Sequence, residues 1–276
     1  MDGITVRLQG GLGNQLYQYA AALAVRAALT VRAALSVRAA LTVRENTPIY
    51  FIMFERNEHN HNGHDYANDL FIEGKPHTSL PDLPPHAVYT QDGAFTRWDP
   101  ETVSKIGPLL FLDGYFQYLP TVIPILPELR ISFLGALFRK TGFIMKQMKD
   151  TGFVHVRRGD YLLNPTYHWV QPISYYEEGM RIINLKKWLV FSDDVDWCNS
   201  QACFKKDGIL IMNEPDELRA MCAMICCCGG AVISNSSFSW WAAMLGANEY
   251  RGRVVYPELW SETYKPELFP AGWISL

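Results

Sequence analysis

Short apolar runs, each ending in a glycine or polar cluster and passing into a helical pattern, recur along this chain. That alternation constrains the fold more than any other feature. Ile4-Thr5-Val6-Arg7-Leu8 is the first run and reads as a strand. Gly10, Gly11 and Gly13 then turn the chain. A helix is predicted with Asn14 as N-cap and Leu16, Tyr17, Ala20 and Leu23 on one face. Ile49-Tyr50-Phe51-Ile52-Met53 is a second strand, and residues 109–117 form a strand ending in an aromatic loop. Later runs at 153–157, 188–192, 208–212 and 231–234 alternate with helical segments at 175–183, 216–228 and from 236 to about 246. Strand and helix repeated in this order predict an α/β fold, a parallel sheet with helices on both faces.

Length then asks how many sheets there are. The chain has 276 residues, the upper limit for one hydrophobic core. Pro120, Pro124 and Pro127 read as a linker and 133–149 as a helix, which places a boundary near residue 150. The expected domains are therefore 1–150 and 151–276.

A hexad, Val-Arg-Ala-Ala-Leu-(Thr/Ser), starts at Val25, Val31 and Val37, and Val43-Arg44 begins a fourth copy. Its composition favours helix. Period six advances ~240° per copy on a helix, so the arginines spread around all sides. As a strand the copies would keep every Arg on one face, but over a length well beyond ordinary strands. An extended helix is the favoured reading, serving as structural filler.

Composition excludes several classes. Apolar residues at 49% and charged residues at 19% are incompatible with disorder. With 25 basic against 28 acidic residues, no nucleic-acid footprint is present. Six cysteines in a chain this size form no disulfide framework and read as buried small hydrophobes, so a reducing, cytoplasmic setting is expected. No basic n-region precedes an apolar stretch at the start. The charge-free run 220–248 is broken by Gly229-Gly230 and Ser234-Asn235-Ser236-Ser237, so no membrane span is expected. His59, His61, His64 and His77 raise a metal question. With no acidic partner at helical spacing, they read as part of a solvated loop over 55–85, and no metal is expected.

Chemistry concentrates at strand ends. Arg157 and Arg158 are adjacent, so one is expected to brace the structure and the other to reach a ligand. A guanidinium is a planar, bidentate clamp for a diphosphate. Asp193-Asp194 could accept hydrogen bonds from a ribose or base. Ser234-Asn235-Ser236-Ser237 precedes a helix whose free N–H groups suit phosphate oxygens. These ends converge on one nucleotide-sized crevice. A dinucleotide fingerprint at Gly10 fails twice: Leu16 occupies the third glycine position, and no acid lies between Asp2 and Glu45.

Gly10-Gly11-Leu12-Gly13-Asn14-Gln15-Leu16-Tyr17-Gln18-Tyr19-Ala20, His155-Val156-Arg157-Arg158-Gly159-Asp160-Tyr161, Phe191-Ser192-Asp193-Asp194 and Ser234-Asn235-Ser236-Ser237-Phe238-Ser239-Trp240-Trp241 resemble the motifs of the α-1,2-fucosyltransferases. They occur in that family's order and span nearly the whole chain. The resemblance implies a two-domain GT-B fold, with Rossmann-like parallel sheets facing across a cleft. The first domain would be the acceptor side and the second would bind the nucleotide sugar. It implies a GDP-fucose donor, a glycan acceptor, inversion at the sugar carbon, and no metal or further cofactor. The family's eukaryotic members carry an N-terminal membrane anchor; none is expected here, so the resemblance is to a bacterial-type or viral member.

Arg157, Arg158 and Asp160 become the catalytic candidates, with Asp160 either a general base or a holder of an arginine. The donor-binding candidates are His155, Asn14, Gln15, Gly11, Gly13, Asp193, Asp194, Asn235, Ser236, Ser237 and Phe238. Two other readings stay open: a catalytically inactive binding module of the same fold, and transfer of a different nucleotide sugar.

Overall fold

A computed structural model of the chain describes residues 3–35, 47–53, 66–71, 74–77, 87–107, 109–165, 168–246, 253–260 and 266–276. The chain divides into two compact units, Met1–Lys140 and Thr141–Leu276. Each carries its own parallel sheet.

In the first unit the strands are β1 (Gly3–Leu8), β2 (Ile49–Met53), β3 (Gly74–His77), β4 (Ala87–Thr90) and β5 (Leu109–Asp113), in the order β3-β2-β1-β5-β4. Every pairing is parallel. β1 is central, and Ile4, Val6 and Leu8 are fully buried, as both-faced coverage by helices requires. The consecutive run β1-β2-β3 breaks off between β1 and β5, so the loops leaving these two strands meet at the carboxyl edge.

Helix α1 (Leu12–Leu35) leaves β1 through Gly10, whose φ of +75° is a left-handed conformation open to glycine. The helix begins two residues before the expected cap, so Asn14 lies in its first turn: the backbone N–H groups of Asn14 and Gln15 both donate to the Gly11 carbonyl. The described part of the hexad repeat is helical. Residues 15–25 are buried, and exposure begins at Arg26. Arg26 pairs with Glu128 at 2.7 Å, and Arg32 Nη1 donates to the Ser104 carbonyl.

The loop expected over 55–85 contains a short helix, α2 (Ala67–Leu70), and β3, which ends at His77; His59, His61 and His64 lie outside the described residues. β4 and helix α3 (Pro100–Ser104) were not anticipated. Asp99 caps α3 by accepting from the backbone N–H groups of Glu101 and Thr102, with Pro100 pre-set for the first turn.

The prolines read as a linker open helices instead. Pro120 sits in the first turn of α4 (Leu119–Val122) and Pro124 in that of a 3₁₀ turn (Ile123–Ile125), which leads into α5 (Leu126–Thr141). Proline lacks an N–H that a first turn does not use. α5 thus replaces the helix expected at 133–149. The stretch Leu119–Thr141 is long and apolar enough to cross a membrane by length and composition. Its Leu126, Leu129, Phe133, Ala136 and Leu137 are buried in the unit's core.

The second unit holds β6 (Thr151–Val156), α6 (Ile173–Ile183), β7 (Lys187–Ser192), α7 (Val195–Ser200), β8 (Ile209–Ile211), α8 (Glu217–Cys226), β9 (Gly230–Val232), α9 (Ser237–Gly246), β10 (Val254–Tyr256) and β11 (Ile274–Ser275). Its strand order is β11-β10-β9-β6-β7-β8, parallel throughout. The chain winds one way from β6 and the other way from β9. The carboxyl edge between these two strands is therefore a topological switch point, where open α/β sheets bind ligands. Val154, Val156, Tyr176, Trp188, Val190, Phe204 and Val232 form the core beneath it. The six cysteines are all buried, as their reading as small hydrophobes expected.

Candidate functional site

The loop after β6 carries Arg157, Arg158, Gly159 and Asp160 over the switch point. Arg157 is committed on both sides: its Nη2 lies 2.6 Å from Asp160 Oδ1 and its Nη1 2.9 Å from Asp193 Oδ2. Its guanidinium also sits 5.3 Å from the centre of the Tyr161 ring. Arg158 is held differently. Its backbone N–H donates to Asp193 Oδ1, its Nε donates to Asp194 Oδ2 at 3.1 Å, and its guanidinium lies 4.1 Å over the Trp197 ring. The two Nη groups of Arg158 have no hydrogen-bond partner among the described residues. Of the adjacent pair, Arg157 is the brace and Arg158 carries the open fork.

Asp193 and Asp194 were expected to face a ribose or base. Their carboxylates instead face the arginines: all four oxygens accept from Arg157, Arg158 or the α7 cap, where Asp194 Oδ1 takes the Trp197 backbone N–H. Gly159 makes this approach feasible, since a Cβ there would stand 2.7 Å from Asp193 Oδ2. Asp160 is bound to Arg157, which supports the arginine-holding reading of that carboxylate.

His155 points inward from β6. It is 6% exposed, its Nδ1 lies 2.9 Å from Ser234 Oγ, and its ring packs near Phe238. Burial, with the Arg157 charge adding to it, pushes its pKa down to about 3, so the ring is neutral. It joins the ends of β6 and β9 from below the site. Tyr161 joins them from above, its OH donating to the Asn235 carbonyl at 2.9 Å. Asn235 Nδ2 donates in turn to the Trp260 carbonyl. Ser236 precedes α9, and Ser237 and Phe238 form its first turn.

The structure thus gathers His155, Arg157, Arg158, Asp160, Asp193, Asp194 and Asn235 into one network, with Ser236, Ser237 and Phe238 next to it. Gly11, Gly13, Asn14 and Gln15 belong to the first unit. Gln15 is fully buried and donates from Nε2 to the Gly10 carbonyl, so it shapes the glycine turn. Gly13 is buried in the first turn of α1, while a Cβ on Gly11 would meet open space. Asn14 is half-buried and accepts from Gln117 Nε2 at 3.0 Å, a bond across the break between β1 and β5. Tyr161 and Trp197, whose rings lie against the two arginines, were not among the expected residues. Tyr161 and Trp197 each follow the charged pairs within four residues, a signal that is visible only once an arginine is known to need a wall.

A groove of about 430 Å³ lies elsewhere, at the amino ends of β6, β7 and β8, between Thr151, Trp188 and Ile209. Its lining is mainly apolar, and it sits at the sheet edge opposite the arginines. Among the described residues no cluster of three or more His, Cys, Asp or Glu is placed to hold a metal.

Residues 96–274, about two thirds of the chain, match the profile described as Glycosyl transferase family 11. The chain belongs to this family. Two Escherichia coli proteins are similar to this family 11 chain. One, an O-antigen biosynthesis glycosyltransferase WbnK, is 32% identical over 136 residues, 46% of this chain and 45% of that protein. The other, an alpha-1,2-colitosyltransferase, is 28% identical over 135 residues, 45% and 46% respectively. The alignments thus span just under half the length of these relatives. A solved structure of an Arabidopsis thaliana FUT1 mutant in complex with GDP aligns with 91% of this chain and 71% of its own, at 11% identity and a TM-score of 0.46.

Proposed function

We propose that this family 11 chain transfers L-fucose from GDP-fucose to a hydroxyl of a glycan acceptor, forming an α-1,2 bond to galactose with inversion. The single observation that carries the reading is the open Nη fork of Arg158 in the loop after β6, at the switch point. A planar cationic fork and a helix N-terminus both suit a diphosphate. Family membership and an E. coli relative named for α-1,2 transfer of a sugar support the same chemistry.

In the reaction, the acceptor oxygen bonds to the sugar C1 as the bond from C1 to the phosphate oxygen breaks. The hydroxyl proton goes to a base, and GDP leaves with added negative charge. Arg158 stabilises that charge where it develops, and Arg157 with Asp193 holds Arg158's loop in place. Asp160 serves as a holder of Arg157. GDP-fucose is the donor substrate, and neither a cofactor nor a metal takes part. Six buried thiols without a disulfide fit a reducing, cytoplasmic setting.

The name of the second relative, a colitosyltransferase, favours transfer of a different sugar as the competing reading, beside an inactive module of the same fold. The test is a donor and acceptor panel: GDP-fucose, GDP alone, UDP-sugars, and galactosides scored for product linkage. Transfer from GDP-fucose to galactose O2 is the expected result. Binding of GDP without transfer to any acceptor would turn the reading toward an inactive module, and transfer from a UDP-sugar would overturn it.

A further inference from the structure

Three loops leave the carboxyl edge of the second sheet near the switch point, after β6, β9 and β10. Tyr161 lies at the centre of their connections. Its hydroxyl donates to the Asn235 carbonyl, which ties the loop after β6 to a residue two positions before the start of α9. Asn235 is 3% exposed, and its Nδ2 bond to the Trp260 carbonyl carries the tie on to the loop after β10. The Tyr161 ring meanwhile lies against the Arg157 guanidinium, 5.3 Å from its centre, and stacks on the His168 ring at 4.0 Å with the planes 8° apart. One side chain therefore bears on the bracing arginine and on the approach to the α9 helix at once.

That double attachment matters for a ligand shared between the two loops. A diphosphate held by an arginine fork on one side and helix N–H groups on the other needs their separation fixed to a few tenths of an ångström, because charge-assisted hydrogen bonds are short. The His155–Ser234 bond fixes that separation below the site, at the strand ends. Above the site, the Tyr161–Asn235 bond is the corresponding side-chain tie.

We propose that Tyr161 is a positioning residue: it clasps the arginine loop to the amino end of α9 and so sets the geometry in which both grip the diphosphate of the donor. The proposal rests on the nucleotide-sugar reading of the same site. Tyr161 itself acts through Arg157 and Asn235.

The experiment uses the full chain with two substitutions, Tyr161→Phe and Tyr161→Leu. Phe keeps the ring beside Arg157 and His168 and removes only the hydroxyl; Leu removes the ring as well. GDP affinity is measured by calorimetry well below the melting temperature. KM for GDP-fucose, KM for a galactoside and kcat are measured separately. Loss of one hydrogen bond to a neutral group predicts a GDP Kd raised about five- to tenfold in Tyr161→Phe. KM for GDP-fucose should rise with it, while KM for the galactoside stays put. Tyr161→Leu should weaken GDP further, because the guanidinium loses its aromatic neighbour.

A residue that merely stabilises the fold would lower the melting temperature and leave GDP affinity unchanged at temperatures where the protein is folded. That result in Tyr161→Phe, or an equal change in both KM values, overturns the proposal. Should Tyr161→Leu fail to fold, Tyr161→Phe alone decides. If the wild-type chain binds GDP but transfers no sugar, the transfer reading falls and the clasp is judged on the GDP Kd; if it binds no GDP, both fall.

Discussion

Arg157 and Arg158 are neighbours in sequence with different assignments, and substitution should separate them. Arg158→Ala should cost about 3 kcal/mol of transition-state stabilisation, the scale of one lost oxyanion donor. Arg158→Lys should restore only part, since a point charge does not replace a bidentate fork. Arg157→Ala should instead lower thermal stability along with activity, because Asp160 and Asp193 both lose the guanidinium they share. Single-turnover rates beside melting curves check this; wild-type rates in both Arg158 variants would remove it from the mechanism.

His155 gives a pH signature. Its folded pKa of about 3 lies below the ordinary value of about 6.5. Between those values the unfolded chain binds a proton that the folded chain does not. The stability this neutral ring contributes is full above the unfolded pKa, and it falls as pH drops toward 3. The slope is up to about 1.4 kcal/mol per pH unit. Urea unfolding of wild type and His155→Gln from pH 7 to 4 should diverge in slope by that amount; parallel curves would mean His155 is protonated when folded. At this scale the candidate residues were legible because each motif is local in sequence. Their pairings were not. Nothing near Asp193 in sequence says that it closes on a guanidinium 36 residues earlier rather than on a ribose.

At the scale of elements, the repeat makes α1 too long for its strand. β1 has six residues and spans about 20 Å, a distance that roughly 13 helical residues recross. α1 has 24 and spans about 36 Å. Burial follows the arithmetic, ending at Val25 where the excess begins. Deleting residues 25–42 would put Val43 in the place of Val25 and Arg44 in that of Arg26, so the buried Val and the partner of Glu128 are both restored. The variant should unfold cooperatively and bind GDP as the full chain does. Collapse of the transition would show that the distal helix belongs to the core.

Helix composition made α1 legible, and apolar alternation did the same for β1, β2 and β5. The prolines misled because Pro is equally at home in a loop and in a first helical turn; only the residues after Pro124, packed through Leu129 and Phe133, decide for helix. β4 was missed because its alternate positions are half-exposed and exposed, which leaves little apolar signal.

At the scale of the whole molecule, a parallel α/β architecture was legible as a class from the strand–helix rhythm, and a division into two units from length. Their strand orders were not, since pairing of β6 with β9 joins segments 78 residues apart that no local pattern links. Yet that pairing creates the switch point, and with it a site whose charge comes from arginines. Transfer activity should therefore survive excess EDTA. Loss on chelation, restored by Mg²⁺ or Mn²⁺, would count against the arginine-based mechanism.

The distribution of cysteine has a practical consequence. All six thiols lie between Cys198 and Cys228, within the second unit, and each is buried. Burial also pushes the Cys198 and Cys222 thiols up to about 11, which keeps the reactive thiolate scarce. A thiol-specific dye should thus stay nearly colourless with the native protein and report six equivalents on denaturation. Because the first unit has no cysteine, the labelling rate in mild urea is a clock for the opening of the second unit alone. Adding GDP should slow that clock, and the degree of slowing would measure binding without any assay of sugar transfer.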